Sequence, residues 1–146
     1  MVSPIALIAA PLGAAFLLGL LRDEWRGAAY GVTLVILALI SAISAGWVWS
    51  LGYGGVAAVE VMTAGTQPPF AVNLRLDLAE AALVLLVYFS GLLSTLYMKD
   101  TMLKQGRRAM AVLLIFCMAL TGIIMTRDLF NLFVFFELMV ISSGGL

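Results

Sequence analysis

Leu129-Phe130-Asn131-Leu132-Phe133-Val134-Phe135-Phe136-Glu137-Leu138-Met139-Val140-Ile141 is an apolar stretch broken by one amide near its start and one carboxylate near its middle. The run extends from Leu129 to Leu146. As a helix rising about 1.5 Å per residue it covers about 27 Å, close to the ~30 Å of a bilayer's hydrocarbon. In lipid the backbone must satisfy its own polar groups, so the stretch reads as a membrane helix. Asp128 stands at its start as a predicted N-cap, with its carboxylate at the positive helix end. Arg127 beside it reads as a side chain snorkelling to the interface.

Four more runs of similar character precede it: Pro4 to Leu21, Tyr30 to Ser50, Leu78 to Met98 and Ala109 to Thr126. The reading is therefore an all-α integral membrane protein, one membrane domain over residues 1–146, with about five helices (4–21, 30–50, 78–98, 109–126, 129–146). Composition agrees. Of the 146 residues, 64% are apolar and 11% charged, whereas soluble domains carry about 25% charged residues. A soluble enzyme, a nucleic-acid binder and a disordered tail are excluded on that ground. The absence of histidine excludes a His-ligated metal, an axial haem histidine and a Ser-His-Asp triad within this sequence. The lone Cys117 excludes an internal disulfide and reads as a small packing residue. No phosphate-binding Gly-rich loop, dinucleotide fingerprint or CxxC occurs, so no cofactor site is expected and any redox chemistry belongs to a partner.

The first run is not a signal peptide, because no Lys or Arg precedes it. With the N-terminus outside, the inner loops hold Arg22, Arg26, Lys99, Lys104, Arg107 and Arg108, and the outer loops only Arg75 and Arg127. That distribution follows the positive-inside rule and predicts an N-out orientation in the inner (plasma) membrane, with the basic loop touching lipid headgroups. The long outer loop between the second and third runs contains Gly52, Gly54, Gly55, Gly65, Pro68 and Pro69. Val72, Leu74 and Leu76 alternate there with Asn73, Arg75 and Asp77. Together with Val59 to Thr63 they predict a short extracytoplasmic hairpin. Ala9 and Gly13, and likewise Ser41 and Ala45, have the spacing that lets helices approach closely. Pro11 is expected to kink the first helix. Trp25, Trp47 and Trp49 are expected in interfacial belts.

Glu137 carries the chemistry. It lies about 14 Å into its helix, near the midplane, where an ionised carboxylate costs at least about 2.5–3.5 kcal/mol. It must face protein, water or a cation. Desolvation pushes such a carboxyl towards the neutral form and a nearby lysine pushes it back, so a moving charge can switch it. That makes it a candidate proton relay. The plainer alternative is a permanently protonated Glu with one interhelical hydrogen bond. Phe130, Phe133, Val134, Ile141 and Gly144 share its face, and no Lys or Arg lies at the centre of any run. The basic partner must come from elsewhere. Ser142 and Ser143 are weaker polar candidates, facing another helix or water. Asp77 and Glu80, three apart at the start of the third helix, read first as dipole partners. They are secondary proton-acceptor candidates, Glu80 above all because it lies nearly a turn into the apolar run. Glu60 reads as solvated.

The stretch from Thr126 to Ser143 resembles the fifth-helix signature of the antiporter-like subunits shared by respiratory complex I, Mrp-type cation/proton antiporters and membrane-bound hydrogenases, with wording nearest the D-type Mrp members. Leu74 to Ala79 is similar to the family's approach to its third helix, except that Leu78-Ala79-Glu80 stands where Gly-Leu-Ser is usual. The resemblance implies a proton-translocating subunit in which Glu137 pairs with a lysine on a later helix. It also implies about fourteen helices built around inverted repeats. On that reading this sequence is the N-terminal portion. Other membrane subunits, or a segment beyond Leu146, supply the remaining helices and the lysine. Three functions are then open: a proton-conducting part, with or without exchange for Na⁺; a non-conducting scaffold of such a complex; and a small multidrug exporter, disfavoured because its Glu would be expected on the first helix.

Overall fold

In the computed structural model, which describes residues 3–62 and 73–146, the chain forms α1 (Ala6–Leu20), α2 (Arg26–Gly52), β1 (Val59–Met62), β2 (Asn73–Leu76), α3 (Leu78–Tyr97), α4 (Lys99–Gln105), α5 (Arg107–Met125) and α6 (Leu129–Gly145). A 3₁₀ turn at Asp23–Trp25 leads into α2. The five predicted helices are α1, α2, α3, α5 and α6. Helices α2, α3 and α5 are long and apolar enough to cross a membrane, and α1 and α6 are shorter apolar helices. The second helix starts four residues before the predicted Tyr30, because Trp25 and Arg26 continue directly from the 3₁₀ turn. Helix α4 is a departure. Its seven mostly polar residues are too few to show an apolar period, and Gly106, at φ 82°, ends it.

The bundle is apolar on the outside as well as inside. Phe16, Leu86, Phe133 and Ile141 are each more than 60% exposed, which in water would be a liability and in lipid is a match. Helix α5 lies at the centre, packed on α1, α6, α3 and α2, while α2 and α3 form the other large pair. Gly91 of α3 admits α5 closely: a Cβ there would meet the Cys117 sulfur at 3.1 Å. Cys117 is buried, as expected of a packing residue.

Four buried hydroxyls are satisfied within their own helices, as an oil-like interior favours, whereas the Ser44 hydroxyl, also buried, has no partner among the described residues. The hydroxyls of Thr33, Ser41, Thr95 and Thr121 donate to the carbonyls four residues back, at 2.7–2.9 Å. Pro11 lies inside α1 and has no N–H to give the Leu7 carbonyl. The Tyr88 hydroxyl, fully buried on α3, donates to that carbonyl at 2.6 Å.

The hairpin forms, with Val59 opposite Leu76 and Glu60 opposite Arg75 in antiparallel register. Its Thr63, Gly65, Pro68, Pro69 and Val72 lie outside the described residues. Leu74 bridges Thr126 at the end of α5, so the hairpin and the α5–α6 link share one end of the bundle. At the other end, Arg26 Nη1 donates to the Lys104 carbonyl at 3.4 Å, and Arg107 Nη1 to the carbonyls of Leu18, at 3.4 Å, and Gly19. The six basic residues predicted for one side thus gather at one end, with Arg75 and Arg127 at the opposite one.

Two packing expectations are corrected. Ala9 and Gly13 point outward, and α1 packs instead through Leu7, Pro11, Ala14, Ala15 and Leu18. A run of small residues on both faces hides which stripe is the seam. Trp47 is buried, whereas Trp25 and Trp49 are exposed as belt residues would be. Trp47 shares the inward stripe of α2 with Ile40 and Ser44.

Candidate functional site

Helix α6 carries Glu137 as its central residue, the ninth of seventeen. Asp128 caps it as predicted: Oδ1 accepts the Phe130 N–H at 3.1 Å, and Oδ2 accepts from Asn131 Nδ2 at 2.7 Å. The seam to α5 runs through Phe135 and Ser142. The Phe135 ring lies so close to Gly122 that any Cβ there would overlap it. At about 100° per residue, Glu137 is turned about 140–160° away from those two. It is exposed, as are Phe130, Phe133, Val134 and Ile141 on the same face. Among the described residues no ion pair or hydrogen bond reaches the Glu137 carboxylate. The geometry is a carboxylate presented outward on an aromatic face at mid-helix. Ser142 and Ser143 fold back on their own helix, donating to Leu138, Met139 and Val140 carbonyls, rather than reaching across.

A second cluster lies at the hairpin end. Asp77 and Glu80 form a capping box on α3. Asp77 Oδ1 accepts the N–H groups of Ala79 (2.9 Å) and Glu80 (3.3 Å), and Glu80 Oε2 accepts the Asp77 N–H at 3.1 Å. Arg75 stands 3.7 Å from Asp77. The Asp77 carboxyl is held below the usual carboxylate range, first by hydrogen bonding with the Glu80 side chain. Desolvation opposes this, while the Glu80 and Ala79 amides and the Arg75 charge add to it. Glu80 Oε1 pairs with the Arg127 guanidinium. Arg127 is therefore not the free interface anchor that its position next to a helix start implied. Its partner lies 47 positions away in sequence, beyond the reach of any local pattern. Glu60 is exposed, as predicted. The three acidic candidates thus fall in two places: Asp77 and Glu80 together at the end of the bundle, Glu137 alone on α6.

No family model matches the chain. It is 30% identical over 126 residues, 86% of its length, to a probable K(+)/H(+) antiporter subunit of the D type from Rhizobium meliloti (strain 1021), of which it covers 23%. Its fold matches a chain of the archaeal membrane-bound sulfane sulfur reductase, a respiratory membrane complex, with TM-score 0.87 and 27% identity over 98% of this chain and 29% of that one. It also matches the fold of a chain of the Mrp complex from Dietzia sp. DQ12-45-1b, with TM-score 0.80 and 24% identity over all of this chain and 27% of that one. The chain spans about a quarter of the length of these relatives. In sequence and in the course of its helices, this multi-pass membrane chain is similar to the antiporter-like subunits of such membrane complexes.

Proposed function

We propose that this chain forms part of a proton-conducting subunit in a multisubunit membrane complex, with Glu137 as the carboxylate that takes up and releases the proton. One observation carries the reading. Glu137 sits at the middle of an apolar helix and faces away from the helix that supports it, among exposed aromatic side chains. A carboxylate at that depth is costly unless a base or a water file meets it. Its face is open to receive one from a further segment or subunit. Such a base gives the proton somewhere to come from and go to. The gathering of six basic residues at one end supports an N-out placement in the plasma membrane. The relatives' names support exchange against a cation or coupling to a respiratory reaction as the energy source.

The test is Glu137→Gln in the assembled complex, reconstituted in vesicles. Proton movement should fall at least tenfold while the amount of complex stays constant. Wild-type transport by that variant would leave this chain as a membrane scaffold.

A further inference from the structure

Helix α6 has one extensive neighbour among the described residues, α5, and of its own residues only Ser142 is buried. A helix held along one narrow seam takes its depth and rotation largely from its ends. Its N-terminal end is fastened at three adjacent points. Thr126 is bridged to Leu74, the Arg127 N–H donates to the Asn73 carbonyl at 2.9 Å, and the Arg127 guanidinium pairs with Glu80 Oε1. The two backbone contacts fasten the link to the hairpin. The side-chain pair alone ties it to α3. Glu80 is itself immobilised by accepting the Asp77 N–H, and its side chain is 11% exposed, against 43% for Arg127. A sheltered ion pair with one end fixed by a helix cap resists separation more than a surface pair does, because parting it strands a buried charge. Both Glu80 oxygens are committed, so the group serves as an anchor.

We propose that the Glu80–Arg127 ion pair is a positioning clamp that sets the depth and rotation of α6, and thereby where Glu137 meets its proton partner. The second half of this claim rests on the proton-relay reading of Glu137; the first does not. Glu80 and Arg127 are positioning residues, acting through the helix that bears the carboxylate.

The test uses the full complex in vesicles, with two readouts. The first is proton transport per assembled complex. The second is the maleimide labelling rate of a cysteine placed by Phe133→Cys, on the Glu137 face, in a Cys117→Ser background. Arg127→Gln and Glu80→Gln should each change the labelling rate at least threefold and lower transport at least threefold. The double variant should be no worse than either single one, since both remove the same contact. The charge-exchanged pair Glu80→Arg with Arg127→Glu should recover both readouts in part, because it restores the ion pair and not the acceptor for the Asp77 N–H, and it decides the matter if a single variant fails to assemble. Unchanged labelling in both single variants, additive losses, or no recovery in the exchanged pair overturns the clamp. If labelling changes and recovers while Glu137→Gln transports normally, the clamp stands and the proton-relay reading falls.

Discussion

The Tyr88 hydroxyl on α3 supplies the hydrogen bond that Pro11 withholds from the Leu7 carbonyl on α1, across 2.6 Å of buried interior. A proline inside a membrane helix is tolerated where a neighbour meets the carbonyl it orphans. Tyr88→Phe should therefore destabilise the protein by about 1–3 kcal/mol, the cost of an unsatisfied buried acceptor. Thermal unfolding in detergent reads this. Pro11→Ala restores the intrahelical donor, so in that background Tyr88→Phe should cost much less. Equal cost in both backgrounds would show that the tyrosine acts through packing alone.

The contact of Gly122 with the Phe135 ring fixes the spacing of α5 and α6. Gly122→Ala should force the ring aside or the helices apart, at about 1–3 kcal/mol for overpacking. Adding Phe135→Leu should recover part of the loss. Detergent melting curves of the three variants check this.

Asp77 gives the hairpin end a defined pH dependence. Its folded-state pKa lies below the ordinary value of 3.8. The stability it contributes is thus fully present above that value and is lost as pH falls through the lower folded value. Protection of the Ala79 and Glu80 amides, measured as hydrogen-exchange protection factors, should hold from neutral pH to about 5 and drop below about 3.8. Asp77→Asn, which keeps a capping oxygen, should flatten that acid-side drop.

Cys117 is 3% exposed and packed against Gly91. A membrane-permeant maleimide should label it slowly in the native bundle and rapidly after denaturation in sodium dodecyl sulfate. Ready native labelling would place the α3–α5 seam elsewhere.

The helices were legible in the sequence to within a few residues because hydrocarbon length and cap chemistry leave local traces. Asp128 and the Asp77–Glu80 pair are such traces, and each caps the predicted helix. Which face of a helix packs was less legible, since lipid and protein interior favour the same apolar side chains. That is why Ala9 and Gly13 misdirect while Leu7 and Leu18 carry the seam. Arg127 was legible as a boundary residue and not as a partner of Glu80, because ion pairing across 47 positions has no period. The departure at Leu78-Ala79-Glu80 from the usual Gly-Leu-Ser was the one trace of it. Glu137 stands out in the sequence by its depth in an apolar run, and its outward aim follows from the α5 seam.

The single-sided attachment of α6 bears on biogenesis. With α1, α2, α3 and α5 packed on one another without it, those four can reach a settled core while α6 is still leaving the insertion machinery. Helix α6 then joins a finished platform instead of nucleating one.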